Sequence, residues 1–309
     1  MNHNTDWQTG SFCKDGWISY RWNRSVETPY PEHDFEIYLN PKGPTKIVSI
    51  EVAAKNVAED ICQTYKNKKL FLAMSGGIDS EYVAVILKKM SLAFIPLIVE
   101  IEEYNQLDTW WAHRWCKENK VEPVIIKITL IEYSSKILEL TKKYYTKRAQ
   151  GASVAYYCSK VALENNGVLL GGGGTHELYI PDPIMPKEAK DPTLKNKTGY
   201  LFNEVDLIKH LVINDMPIMF FNWNAEITLS YIAARDPQLT TEENRFKLFN
   251  CPLRPKIGVL GDYSKFSHIK DPIIEKTVLT SQISYGLGGS DSYYLGTTEY
   301  LMELLKNEK

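Results

Sequence analysis

Two spacings of apolar residues alternate along the middle of the chain. Short, mainly apolar runs begin at Lys69, Phe94, Glu122 and Gly167, and runs of this length predict strands that are buried on both faces of a sheet. The segments between these runs, and residues 49–66 before the first, carry apolar residues at helical spacing. Strands that alternate with helices predict an α/β fold, a doubly wound parallel sheet.

The two ends of the chain have a different pattern. Residues 1–48 contain two stretches of alternating residues, 17–22 and 34–39, among several prolines, which predict a small N-terminal β extension. Residues 49–180 would then form the α/β core. Residues 181–309 begin with proline and lysine and continue with helical patterns, so we expect a lid loop followed by a helical C-terminal region.

Composition sets broad limits on function. Of 309 residues, 44% are hydrophobic and 24% are charged, and the formal net charge is −2, which is typical of a globular protein and gives no general attraction to nucleic acid. No apolar run is long enough to span a membrane, and the polar start does not have the pattern of a signal peptide. We therefore expect a cytoplasmic protein. The five cysteines include no Cys-x-x-Cys pair, which argues against a zinc or iron–sulfur site built on such pairs.

Candidate chemistry is concentrated where the first core strand ends. The stretch Ser75–Ser80 has the sequence Ser-Gly-Gly-Ile-Asp-Ser and precedes a helical pattern. Gly76 and Gly77 let backbone N–H groups approach a phosphate closely, and a helix N-terminus adds partial positive charge. The serines at the two ends can donate hydrogen bonds to phosphate oxygens, whereas Asp79 is suited to hold a divalent cation that bridges phosphates.

This stretch resembles the signature of the PP-loop, or N-type, ATP pyrophosphatases, a superfamily that includes asparagine synthetases, NAD synthetases and tRNA-modifying enzymes. The resemblance implies an adenine nucleotide alpha hydrolase-like fold that binds ATP and Mg²⁺ and cleaves ATP to AMP and pyrophosphate. It assigns Asp79 to the metal and Ser75–Ser80 to the phosphates. Because ligands of such sheets lie at the carboxyl ends of the strands, the backbone groups of Val99 and Ile101 are candidates to frame the adenine.

A second glycine-rich stretch, Gly171–Tyr179, follows the fourth core strand at the same predicted edge of the sheet. It resembles the Gly-Glu-Gly-Ala-Asp-Glu-Leu-Phe stretch of asparagine synthetases, and Gly172 and Gly173 are expected to contact the nucleotide. Gly173 stands where the family has a glutamate, and His176 stands where it has an aspartate that binds magnesium. Either Glu177 takes over the metal, or His176 contacts phosphate or acts as a general base, or His176 is a hydrogen-bonded loop residue.

The resemblance also implies a basic residue that neutralises the pyrophosphate leaving group. Lys256 and Arg254 are the candidates for this role, with Lys265 after them. Two other basic clusters lie at 142–148 and 187–197. A helix C-terminus and a solvated loop explain them, or they contact nucleic acid or a phosphate.

The hypothesis that follows is an AMP-forming ligase, similar to an asparagine synthetase but without a glutaminase domain. It would adenylylate a carboxylate or carbonyl oxygen of a small molecule for attack by an amine or ammonia. The nitrogen would come from free ammonia, an amine substrate or a separate glutaminase partner. Two alternatives stay open: a tRNA- or nucleotide-modifying enzyme that uses the same adenylylation, and a non-catalytic nucleotide-binding or scaffold protein of the same fold.

Overall fold

The computed structural model describes most of the predicted core and parts of both ends of the chain. The described residues are 7–11, 16, 18–23, 35–39, 47–102, 104–144, 149–173, 177–179, 199–202, 205–217, 219–236, 238–239, 241–250 and 293–296. The strands are β1 (Trp7–Ser11), β2 (Ile18–Asn23), β3 (Phe35–Leu39), β4 (Lys69–Ala73), β5 (Ile95–Ile101), β6 (Val124–Ile128), β7 (Gly167–Gly171), β8 (Glu177–Tyr179), β9 (Gly199–Phe202) and β10 (Tyr293–Gly296). The helices are α1 (Ile50–Thr64), α2 (Ile78–Lys89), α3 (Gln106–Asn119), α4 (Leu130–Tyr144), α5 (Gln150–Glu164), α6 (Val205–Ile213), α7 (Ala225–Ala234) and α8 (Thr241–Phe249).

The core is a four-stranded parallel sheet in the order β6-β5-β4-β7. Ala73, the last residue of β4, lies beside Leu97 of β5 and Gly171 of β7. The pairing of β5 with β6 continues from Leu97 to Ile101, so β5 projects beyond the end of β4. The predicted α/β class with a parallel sheet is confirmed.

Two groups of helices cover this sheet because its strands are apolar on both faces. Every residue of β7 is buried, and so are the three central residues of β4. Helix α5 packs against β7, β4 and β5, and it is joined there by α4 and α6. Helix α2 packs against β4 and is joined by α1 and α8, with α7 against α1. The apolar spacing of the sequence therefore corresponds to layers around one main hydrophobic core.

The connections reverse direction at β4. The chain runs from β4 to β5 and then β6 on one side, and returns to place β7 on the other side of β4. In open α/β sheets, ligands bind at the carboxyl ends of the strands where the order reverses. Here that position lies between the residues after Ala73 and those after Gly171.

Two antiparallel sheets involve the ends of the chain. The sheet β1-β2-β3 contains both strands predicted in residues 1–48 and one more, Trp7–Ser11. The sheet β10-β9-β8 joins segments from 177 to 296, so the C-terminal region contains strands as well as the predicted helices. The boundaries proposed for the three regions stay a prediction. Among the described helices, none has the length and apolar character of a membrane span.

Candidate functional site

The turn between β4 and α2 lies at the point where the sheet reverses. The N–H of Met74 still donates to the carbonyl of Leu97 at 2.9 Å, and the chain then turns away. Inside the turn, the Gly77 N–H donates to Ser75 Oγ at 3.2 Å and Ser80 Oγ donates to the Gly77 carbonyl at 2.9 Å. Gly77 occupies the N-cap position of α2. Since glycine has no side chain, no N-cap group competes with an anion for the amides of the first turn.

Two glycines are required by close contacts around this turn. Gly76 has a φ of +86°, and a Cβ there would lie 1.8 Å from the carbonyl oxygen of Asp108 in α3. A Cβ on Gly172 would lie 2.4 Å from the Cα of Ser80. The first turn of α3 and the end of β7 therefore both press against the turn, and the two halves of the predicted site meet.

Asp79 faces a cation that the sequence did not predict. The Nε of Arg245 in α8 lies 3.6 Å from Asp79 Oδ1, and the two side chains are only 15% and 18% exposed. The rings of Tyr82 and Phe249 stack next to this pair, with their centroids 4.3 Å apart. Tyr82 follows Asp79 by about one helical turn and Phe249 follows Arg245 by about one turn, so the stacked rings lie on the same faces of α2 and α8 as the ion pair.

A buried asparagine fixes the start of α8. The Oδ1 of Asn244 accepts from the Asp236 N–H at 2.7 Å, and its Nδ2 donates to the carbonyls of Asp236 and Leu239 at 2.9 and 3.0 Å. Only 1% of Asn244 is exposed. These bonds join α8 to the chain that leaves α7, and the next residue along the helix is Arg245.

Tyr231 and Arg235 extend the charged cluster around Asp79. The Arg235 guanidinium lies 5.9 Å from the centroid of the Tyr231 ring, and both residues are buried. Burial raises the pKa of the Tyr231 phenol, although Arg245 and Arg235 draw it downward. Arg245 and Asp79 thus bring a guanidinium and a carboxylate together beside the glycine turn, and a guanidinium is suited to bind phosphate.

The backbone groups predicted to frame the adenine lie where β5 passes the end of β4. Val99 and Ile101 are buried. The Ile101 N–H donates to Asn105 Oδ1 at 2.8 Å, and Asn105 Nδ2 donates to the Val99 carbonyl at 2.8 Å. Both groups are therefore bonded to one carboxamide at the start of α3.

Of the two predicted Mg²⁺ ligands, Asp79 and Glu177, only Asp79 has a described side chain. Nowhere in the described ranges do three or more His, Cys, Asp or Glu side chains form a group that could hold a metal. Proteins commonly bind Mg²⁺ through one or two carboxylates, with phosphates and water completing the octahedron. The carboxylate of Asp79 beside the turn fits that pattern, with Arg245 as its present counter-charge.

The other predicted residues are placed only in part. Gly173 directly follows Gly172 at the end of β7, whereas His176 and Lys256 lie outside the described residues. Glu177 belongs to β8, and its side chain is not among those described. Their roles stay predictions. Arg245 has no local sequence signal, because a charged residue in a short helix is ordinary.

Comparisons with known proteins give weak similarities. No protein-family model matches the sequence, and no curated protein matches it significantly. The structure is similar to the NH3-dependent NAD synthetase of Campylobacter jejuni, with 18% identity and a TM-score of 0.29 over 41% of this chain and 58% of that chain. It is also similar to NMN synthetase from Francisella tularensis, with 14% identity and a TM-score of 0.36 over 78% and 97% of the two chains. A tRNA thiolase from Methanococcus maripaludis has 12% identity and a TM-score of 0.36 over 84% and 82%.

At these identities and TM-scores, no activity passes from those proteins to this chain. The match spans less than two thirds of the Campylobacter enzyme. The resemblance to asparagine synthetases stays a prediction.

Proposed function

We propose that this chain binds ATP with Mg²⁺ at the Ser75–Ser80 turn and cleaves it to AMP and pyrophosphate. The observation that carries the proposal is the position of this turn. It follows a buried parallel strand, opens a helix and lies at the reversal point of the sheet, with the glycine-rich end of β7 against it. Amides of a helix N-terminus and serine hydroxyls bind phosphate oxygens in that setting.

The chemistry is an adenylyl transfer. An oxygen of a substrate carboxylate or carbonyl attacks the α-phosphorus of ATP, the bond to the oxygen that bridges the α and β phosphorus atoms breaks, and pyrophosphate leaves. An amine or ammonia then attacks the activated carbon and AMP departs, which gives a new C–N bond. When bound at Asp79, Mg²⁺ would neutralise charge on the phosphates. Arg245, 3.6 Å from Asp79, is a further candidate, in addition to Lys256, for the basic residue that stabilises the leaving pyrophosphate.

A separate cavity lies on the side of α3 away from Asp108 and the glycine turn, and we propose it as a site for a small molecule. It has a volume of about 540 Å³ and lies at the carboxyl ends of β5 and β6, lined in part by Ile101, Trp110 and Lys127. Its wall includes His113, whose Nε2 lies 2.7 Å from Glu100 Oε1. Its volume lies in the range of sites for small ligands, and its lining provides both charged and apolar contacts.

The test is the release of AMP and pyrophosphate from ATP in the presence of Mg²⁺ and a panel of carboxylates and amines. Asp79→Asn keeps the size of the side chain and removes its charge, so we expect Mg²⁺-dependent cleavage to fall about a hundredfold or more. Asp215→Asn is the matched control, because Asp215 is exposed and has a φ of 50°, which asparagine adopts readily. Equal cleavage by both variants would contradict the proposal.

The same assay separates the alternatives. Cleavage that appears only when tRNA is added, and that weakens with salt, would favour the RNA-modifying enzyme; in the described part of the chain its support is the exposed pair Lys142 and Lys143 at the end of α4. ATP binding without cleavage under any condition would favour the non-catalytic protein.

A further inference from the structure

Where β5 extends beyond the end of β4, the backbone groups on that side of β5 are not paired with a strand. Along one edge of a strand, polar groups of alternate residues point the same way. The Leu97 carbonyl points towards β4, because it accepts from Met74. The Val99 carbonyl and the Ile101 N–H therefore point into the space beyond the end of β4, beside the Ser75–Ser80 turn.

Asn105 fills this space with a carboxamide. Its Oδ1 accepts from the Ile101 N–H and its Nδ2 donates to the Val99 carbonyl, both at 2.8 Å. An amide thus presents an acceptor beside an amino donor. The Watson–Crick edge of adenine presents the same pair, with N1 as the acceptor and the N6 amino group as the donor. Asn105 and adenine therefore compete for the same two backbone groups.

The start of α3 does not depend on this carboxamide. Asn105 is the N-cap residue of α3, yet its side chain makes no capping bond. Its backbone carbonyl accepts from the N–H groups of Asp108 and Thr109 at 3.1 and 3.0 Å. Rotation of the side chain therefore leaves the helix start intact, and Asn105 is only partly buried.

The same helix turn links the base position to the phosphate turn. Asp108 lies three residues after Asn105, and its carbonyl contacts the position of Gly76 so closely that only glycine fits there. We propose that Asn105 is a plug of the nucleotide site: its carboxamide occupies the base position, and it must rotate away for adenine to bind the Val99 carbonyl and the Ile101 N–H. This inference rests on the proposed ATP site.

The test compares nucleotide binding by the full chain and an Asn105→Ser variant. Serine is a good N-cap residue but too short to bridge both backbone groups. Removing two competing hydrogen bonds should tighten ATP binding about tenfold. Binding of inorganic tripolyphosphate, which has no base, should not change. GTP should gain less than ATP, because guanine presents its donor and acceptor in the opposite order.

Two further variants complete the experiment. Asn119→Ala removes an asparagine from the other end of α3, where it bonds Lys88 and the Trp115 carbonyl, and should leave ATP affinity unchanged. Asn105→Asp keeps the shape and accepts from Ile101 but cannot donate to Val99; a gain of about threefold is expected, and this variant decides the matter if the serine variant does not fold.

The outcomes are distinguishable. Two results would refute the plug and leave the ATP-site proposal standing. In the first, tripolyphosphate binds, but ATP binds the Asn105 variants no more tightly than the unchanged protein. In the second, the affinities for ATP and for GTP rise equally. If neither ATP nor tripolyphosphate binds to any of the proteins, both proposals fall.

Discussion

Phe249 stacks on Tyr82 with ring centroids 4.3 Å apart and an angle of 19° between the ring planes. The contact joins α8 to α2 about one helical turn from the Arg245–Asp79 ion pair. Phe221 stacks on the same two rings, with centroids 6.1 Å from Tyr82 and 5.3 Å from Phe249. An aromatic group of this kind has little freedom to shift, so the geometry at the glycine turn depends on apolar packing behind it.

Phe249→Ala should therefore reduce both stability and ATP cleavage. Loss of a buried aromatic ring costs about 3–5 kcal/mol in the free energy of unfolding, and the cavity would let Arg245 move away from Asp79. Urea denaturation and the pyrophosphate assay measure the two effects. Leu248→Ala is the control: it truncates the adjacent, half-buried residue of the same helix, so it should lower stability yet leave cleavage close to normal at a temperature where both variants are folded.

Arg245→Ala should have opposite effects on the binding of ATP and on the binding of Mg²⁺. Removal of a charged contact to phosphate should weaken ATP binding by about tenfold or more. The Mg²⁺ concentration needed for half-maximal activity should fall, because a positive charge beside Asp79 is gone. Titrations of ATP and of Mg²⁺ test this. Lys247→Ala removes an exposed lysine of the same helix that pairs with Asp236 at 3.1 Å; if it has the same effects, the role of Arg245 is refuted.

Gly172→Ala should damage the junction of the two glycine-rich stretches. The new Cβ would lie 2.4 Å from the Cα of Ser80, so β7 or α2 must shift, at a cost of about 1–3 kcal/mol. We expect lower stability and weaker nucleotide binding. Gly171→Ala is the adjacent control, because its Cβ would meet nothing nearer than Met219 Cγ at 3.5 Å. Equal binding by the two variants would show that close packing at Gly172 is unimportant.

His210 should make the protein less stable in mild acid. Its Nδ1 lies 2.8 Å from Tyr144 Oη and its Nε2 lies 2.9 Å from Ser159 Oγ, inside the group formed by α4, α5 and α6. Burial, reinforced by the Lys143 charge, lowers the pKa of His210 from 6.5 to about 4. Nearby, the ammonium group of Lys209 donates to the Tyr144 carbonyl at 2.9 Å.

The sign of this effect follows from the two pKa values. As the pH falls below the unfolded value of 6.5, the unfolded chain binds a proton that the folded protein does not accept until about 4. The free energy of unfolding should therefore fall through this window, by about 2 kcal/mol between pH 7 and pH 5. Denaturation curves at several pH values measure it. In His210→Gln this part of the pH dependence should disappear; an unchanged dependence would assign it to other groups.

Local patterns predicted the core because each parallel strand and its helix are encoded in neighbouring residues. The run before Ser75 and the run before Gly171 are strands, and their glycines meet as expected. Contacts between segments that are far apart in the sequence have no local pattern that predicts them. The pairing of β9 (Gly199–Phe202) with β10 (Tyr293–Gly296) joins segments that are far apart in the sequence, and Arg245 reaches Asp79 only through the packing of α8 on α2.

Asn105 illustrates a further limit of sequence patterns. An asparagine before a helical segment is expected to cap the helix, yet its side chain serves β5 instead. The choice depends on the length difference between β4 and β5, which is a property of the assembled sheet.

That length difference also affects how the protein avoids unwanted association. Strand backbone without a partner usually lies at the rim of a sheet, where another chain can add a strand and start aggregation. Here the stretch of β5 that has no strand partner on one side lies inside the sheet, flanked by β6 and by the end of β4. So short a gap has no length for an added strand. The carboxamide of Asn105 thus also keeps these backbone groups from pairing with another chain.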